Sequence, residues 1–288
     1  MVRLGLITAA LAAAILQPCL ADDDTSPSQT ADKSGYTLFN PTPKALLREF
    51  APHRPGKANS ATTLDAGQIQ FETDIFNTTM DPLNAVHPST RAMTIGAPIL
   101  YLGLTNFIEL GVGTNLFNFQ SQFDGTTTTK AHGFGDSSVA LGINLFGNEG
   151  GPALGLVPSI KIPTARGPLG NGYAEYALAV PFAFDIPGKG QAELEADFGY
   201  VRNDANTGYT NSYGFVTNVS YPTPIKNLGV GIELAGNLPM DTRQFTLSLD
   251  PFVTYLLAKD LQIDLGAYLG LNKYTPRTII YTGFARRF

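Results

Sequence analysis

From about residue 62 onward, apolar and polar side chains alternate in units of about ten residues, each unit ending in a turn. Tyr176, Leu178, Val180, Phe182, Phe184 and Ile186 alternate with Glu175, Ala177, Ala179, Pro181, Ala183 and Asp185. Leu261, Ile263, Leu265, Ala267, Leu269 and Leu271 alternate with Gln262, Asp264, Gly266, Tyr268 and Gly270. A period of two puts successive side chains on opposite faces of a strand. One face is continuously apolar, and the other is small, polar or acidic. A chain built this way has to turn its apolar face either to its own core or to lipid.

A soluble β-sandwich would show the same period with the apolar face inward. Two features favour lipid. The units approach the ~9–11 residues that a tilted membrane strand needs, against ~5–6 in ordinary soluble sheets. The polar face carries few lysines, whereas a soluble surface mixes both charge signs. Twelve strands are expected, over 62–76, 91–102, 106–117, 133–147, 152–163, 174–186, 190–203, 211–222, 227–238, 244–257, 260–272 and 277–288. Tight turns rich in Gly, Pro and Lys alternate with longer connections, the pattern of short periplasmic turns and longer external loops. The fold class expected is all-β, a transmembrane antiparallel up-and-down β-barrel spanning 61–288, with both termini at the periplasmic end. Pro98, Pro158, Pro181 and Pro251 fall inside these strands and predict bulges or kinks, because proline removes a ladder hydrogen bond.

Residues 1–21 read as a cleavable signal peptide: Arg3, an apolar run Leu4–Leu16, then a small-residue exit before Asp22-Asp23-Asp24. The apolar run is too short to span a bilayer as a helix. Cys19 would be the acylated residue of a lipoprotein, a reading that Pro18 fits poorly. It is the only cysteine, so a mature chain has no disulfide framework. Charged residues make up 15% of the chain, below the ~25% usual for soluble proteins. The formal charge of −5, with no Lys/Arg cluster, argues against a nucleic-acid partner.

Residues 22–60 form a periplasmic segment in this reading. Asp22 to Gly35 is a polar tether, and Thr42 with Pro43 predicts a short helix through Phe50. Lys44, Arg48, Arg54 and Lys57 are balanced only by Glu49. They precede a barrel whose inner face collects Glu72, Glu109, Glu193, Glu195, Asp197, Glu233, Asp250 and Asp264, with Lys161 a rare base. Residues 36–58 are therefore candidates for a plug in the periplasmic mouth, the alternative being a solvated tether. The acids make either a cation-favouring pore or the ordinary polarity of a wet interior. Tyr101, Tyr176, Tyr200, Tyr213, Tyr221 and Tyr255 lie toward strand ends, where interfacial girdles form.

No catalytic group, metal site or cofactor is expected. His53, His87 and His132 fall outside the strand cores, with no spacing that would hold a metal or form a Ser–His pair. The turn Gly147–Gly151 lacks the lysine of a phosphate-binding loop.

Leu38-Phe39-Asn40-Pro41-Thr42-Pro43, Leu46, Arg48, Arg54-Pro55 and Thr63–Glu72 together resemble the MetA-pathway of phenol degradation family of bacterial outer-membrane proteins. Gly56 departs from the acidic residue associated with the Arg-Pro motif. Phe288, with Phe284 four before it, is similar to the carboxy-terminal signal read by the barrel assembly machinery, although Arg286 stands where an apolar residue is usual. The resemblance implies passive uptake of small molecules, aromatic or otherwise hydrophobic, and supplies no catalytic residues. The alternative functions are a structural or adhesive barrel with a filled interior, and an outer-membrane enzyme.

Overall fold

The computed structural model describes residues 32–288; the expected signal peptide lies outside them. Fourteen strand segments follow one another: β1 (Ile69–Asp81), β2 (Ser89–Gly103), β3 (Ile108–Thr114), β4 (Phe117–Phe123), β5 (Thr128–Gly133), β6 (Ser137–Phe146) and β7 (Ala153–Ile162). They continue with β8 (Glu175–Ile186), β9 (Gly190–Arg202), β10 (Tyr209–Pro222), β11 (Leu228–Pro239), β12 (Thr246–Ala258), β13 (Leu261–Gly270) and β14 (Thr278–Arg287). All pairings are antiparallel between neighbours, and β1 pairs with both β2 and β14, so the sheet closes.

Four of the segments are halves of longer strands. β3 pairs with Ile99–Gly103 and β4 with Ser89–Ile95 of the same strand β2. β6 and β5 pair in turn with β3 and β4. The break at Asn115-Leu116 faces a bulge at Gly96, whose φ is +71° and whose carbonyl accepts the Leu116 N–H at 2.8 Å. The wall therefore has the expected twelve staves. The third and fourth are longer than the sequence suggested, because the expected loop 118–132 pairs as the hairpin β4–β5. The first begins at Ile69, not at residue 62.

Each strand proline sits where pairing on one side lapses. Pro98 lies between the stretches of β2 that hold β3 and β4. Pro158 falls in the gap between the Ala140↔Ser159 and Ile143↔Leu156 pairs, and Pro181 in the gap between Leu154↔Phe182 and Val157↔Ala179. Opposite Pro251, the Asp250 carboxylate accepts the Ala267 N–H at 3.1 Å in place of the lost ladder bond.

The apolar faces point outward. Leu100, Val112, Ile232, Val253 and Leu265 are all at least 40% exposed, while Glu72, Glu109, Glu233, Asp250 and Asp264 on the opposite faces are no more than 4% exposed. Tyr176, Tyr200, Tyr213, Tyr221 and Tyr255 are exposed toward strand ends, but Tyr101 is turned into the barrel. Glycines on the inner face lie beneath aromatics of the next strand: Gly231 beneath Phe252, Gly266 beneath Tyr281, Gly111 beneath Tyr101. Tyr281 also donates to Asp250 at 2.7 Å. A methyl group at Gly266 would collide with the Tyr281 ring and hydroxyl. Gly266→Ala is expected to cost about 1–3 kcal/mol by displacing that ring from Asp250, read as a lower urea midpoint for the folded barrel.

Candidate functional site: the segment inside the barrel

The chain before β1 runs through the barrel interior. The expected helix 43–50 is reduced to one 3-10 turn, Lys44–Leu46, and Leu47 is already extended. A helix would pass the Arg48 N–H to a carbonyl four residues back. Here the Asp65 carboxylate takes it at 2.7 Å. Thr42 makes no cap. Pro52 and Pro55 keep the following stretch irregular, leaving its amides free to point at the wall.

Those amides meet the inward carboxylates in sequence. His53 N–H donates to Glu72 on β1 at 2.9 Å. Lys57 N–H donates to both Glu233 oxygens on β11 at 3.0 Å, and Ala58 N–H to one of them at 3.2 Å. Asn59 donates to Glu195 on β9 through its backbone at 2.8 Å and its side chain at 3.2 Å. The chain then turns back, and Leu64 N–H reaches Glu109 on β3 at 2.7 Å. Where it passes β7 and β8 the wall is small: Ala61 packs against Ala153 and Ala183.

Side chains add charge to this frame. The Arg54 guanidinium holds Asp264 through two bonds of 2.7 and 2.8 Å and Asp74 through a third of 2.7 Å, a forked geometry that suits a carboxylate. Its peptide with Pro55 is cis. His53 stacks on Tyr101 at 4.1 Å between centroids, with Nε2 3.0 Å from Glu109. Burial pushes the His53 pKa down, but the charge and hydrogen bond of Glu109, with Glu72 and Glu193, outweigh it and lift it to about 9. Burial likewise draws the Lys57 ammonium below its usual value, against the pull of Glu233 and Asp250. Gly56, at φ +100°, has the Glu233 carboxylate where a Cβ would stand, so no side chain fits there, least of all an acidic one.

A second cluster pins the segment at the mouth that carries the short turns. Arg48 bridges Asp65 at 3.3 Å and Glu149 at 2.7 Å, and Lys33 joins the same two acids. Burial raises the Glu149 pKa, but the Lys33 and Arg48 charges outweigh it and hold the group below the usual carboxylate range. Thr63 N–H donates to Asn148 at 2.8 Å, and Arg287 donates to the Arg48 carbonyl at 2.9 Å. Gly67, at φ +79°, donates to the Gly103 carbonyl, which seats Asp65-Ala66-Gly67 against the turn between β2 and β3.

Of the residues singled out from the sequence, Glu72, Glu109, Glu195, Glu233 and Asp264 meet Arg54, Lys57 or their neighbours. Asp250 faces Glu233 in register, and Glu193 accepts from Asn218 at 3.1 Å. Asp197 shares the face of Glu195 two residues on. Lys161 lies elsewhere, paired with Asp136 at 3.3 Å and Glu175 at 2.9 Å near the loop end. Lys44 is exposed and takes no part in these contacts, and Arg48 acts at the mouth. Sequence reasoning missed Asp74, His53 and Asn59. Asp74 was open to it, since it repeats the inward period two residues after Glu72. Beside the segment, a cavity of about 470 Å³ opens toward the short-turn mouth, bounded by His53, Glu193, Asn218, Tyr221, Phe252 and Gln262.

This geometry is that of a closed β-barrel with an apolar outside and a polypeptide segment bound to acids inside. Over residues 52–288 the sequence matches the family described as "Putative MetA-pathway of phenol degradation", and the chain belongs to that family. No curated protein matches the sequence. Among solved structures it is similar to the NanC porin, at 8% identity and TM-score 0.44 over 76% of this chain and 98% of that one. It is also similar to an anion-selective porin from Comamonas acidovorans, at 9% identity and TM-score 0.35 over 76% and 98% of the two chains. Pseudomonas putida OprB is similar at 8% identity and TM-score 0.38 over 77% and 91%.

Two outcomes test the site. Arg54→Ala leaves Asp74 and Asp264 without their cation, a loss of about 3–5 kcal/mol for a buried pair; an Ala58→Cys reporter should then react with maleimide much faster than in the parent. His53 binds its proton more tightly folded than unfolded. Its contribution is therefore complete below pH ~6.5 and lost as pH rises through about 9. Reporter labelling, corrected for thiol ionisation, should rise across that window and stay flat in a His53→Phe background.

Proposed function

We propose that this chain is an outer-membrane channel for passive passage of small molecules, narrowed by its own segment 48–65. The observation that carries the reading is the pairing of a lipid-compatible outside with an inside whose acids are engaged by that segment. The sheet closes through β1, with only the far edge of β5 left unpaired at the loop end, so the apolar wall below it meets the condition for a barrel to sit in hydrocarbon. The short-turn end, with both chain ends, faces the periplasm in this reading, and the longer loops face outward. Arg54, His53 and Lys57 with their neighbours serve as the plug, and the wall carboxylates line what remains of the lumen. Those carboxylates outnumber the three cations, so cations and neutral solutes pass in preference to anions. Uncharged aromatic and other small hydrophobic compounds are the solute class that the family's description favours.

A filled structural barrel is the second reading, supported by the number of bonds that hold the segment on both its outward and return runs. Deleting residues 36–58 and recording single-channel conductance separates the two. A constricted channel conducts weakly as the full chain and several-fold more after deletion. A full chain that admits no solute in liposome swelling supports the filled barrel. Unchanged conductance on deletion removes the plug. Leu265, half exposed on the outer face, tests the placement in lipid. Leu265→Arg should cost about 2–4 kcal/mol of folding stability in bilayers, as mid-membrane arginines do. A mature chain that stays folded and monomeric in buffer without detergent would overturn that placement.

A further inference from the structure

We infer that the outer wall carries a binding groove for a phosphorylated, acylated lipid of the outer leaflet, on β1, β2, β4 and β5 near the loop end. This rests on the proposed membrane placement. The groove encloses about 970 Å³, within the range of ligand-sized pockets. Its floor is apolar and outward-facing: Met80, Met93, Phe119 and Phe123 are each at least 38% exposed. Its roof is Leu83, from the connection between β1 and β2, which leans to within 3.9 Å of where a Cβ on Gly125 would stand.

What distinguishes this groove from the rest of the apolar wall is its charge. Arg91 on β2, Lys130 and His132 on β5, and Arg277 before β14 all line it and are all exposed. Arg91 stands opposite Ser121, which stands opposite Lys130 on the far side, and Phe119 stands opposite His132. Arg91 and Lys130 thus flank one strand on the same face, about 10 Å apart at the backbone. Long side chains on that spacing can close on one phosphate from two sides. Arg48, Arg54, Lys161 and Arg287 are each ion-paired elsewhere in the molecule. Among the described residues none of the three groove cations, Arg91, Lys130 and Arg277, is. The one carboxylate at the rim, Asp81, is already taken, by His87 at 3.1 Å and by the Arg277 N–H at 3.1 Å. Unpaired cations set among exposed Met and Phe side chains match an amphiphile with an anionic head and acyl chains. Free phosphate would have no use for the apolar floor, and a zwitterionic lipid would not need three cations.

The test uses the refolded full chain, with diphosphorylated lipid A as probe and a phosphocholine lipid of matched chains and inorganic phosphate as comparators. Native mass spectrometry should show lipid A retained by the parent in preference to either comparator. The double variant Arg91→Gln with Lys130→Gln should retain it roughly thirtyfold less well, given the usual contribution of each basic residue near an anionic surface. Heat-modifiable migration on a gel confirms that the variant is folded. Equal retention by the double variant, or equal retention of the phosphocholine lipid, overturns the groove. Retention of inorganic phosphate alone reduces it to an adventitious anion site and overturns it too. Insertion of the parent into vesicles is scored in the same experiment. A chain that inserts but holds no lipid A sinks only this inference, whereas a chain that does not insert sinks the membrane reading beneath it.

Discussion

A carboxylate that points into a closed barrel has to find donors there, and in this molecule much of what it finds is supplied by the chain itself. Glu72, Glu109, Glu195 and Glu233 each accept at least one backbone N–H from residues 53–64. Asp264 and Asp74 share the Arg54 fork. Wall and segment are therefore mutually dependent. Without the segment the acids crowd a narrow lumen with like charge, and without the acids an irregular stretch carrying two interior prolines has nothing to bond to.

The small residues of the inner face complete the arrangement. A Cβ on Gly155 would stand 3.2 Å from the Ala61 backbone, and one on Gly142 would stand 2.7 Å from Glu109. Ala153 and Ala183 lie directly against Ala61. The alternation of apolar with small or acidic side chains thus encodes three things at once: a lipid-compatible outside, acceptors on the inside, and room for a chain between them.

The period of two made most of the wall legible, because it acts over every strand at once. It failed at residues 62–67, where Thr62, Leu64 and their neighbours alternate like a strand, yet Gly67 takes a positive φ and Asp65 turns to Arg48. It was passed over at 117–133, where Phe117 and Phe119 alternate with Asn118 and Gln120 but a run of threonines suggests a loop. Acids on the small face advertised the lumen. Charge counting brought Arg54 and Lys57 to it without saying which acid each would meet. Neutral partners left no trace. Asn148 reaches Thr63 across 85 residues, and Asn144 reaches the Ala61 carbonyl across 83. An amide in a turn or on an inward face looks the same whether it binds water or a distant backbone. Tyr101 was misplaced for a related reason: a strand-end tyrosine suits a girdle, and only the stack on His53 shows why it faces in.

The irregularity of the segment is what lets it bond to so many wall carboxylates. In an α-helix each N–H beyond the first turn is consumed by the carbonyl four residues back, so a helical plug could offer the wall only side chains and one N-terminus. A strand would direct its amides to two neighbours in one plane. A chain broken by Pro52, Pro55 and Gly56 can aim successive amides at opposite sides of a ring. His53 faces β1, Lys57 faces β11 and Asn59 faces β9 within seven residues. The Arg54-Pro55 motif, which has no chemistry of its own, makes sense in this light. Arginine fixes one wall of the barrel. Proline has no amide to leave unbonded as the chain turns from that wall toward the next. The glycine after it leaves room for the carboxylate that the following amides bind.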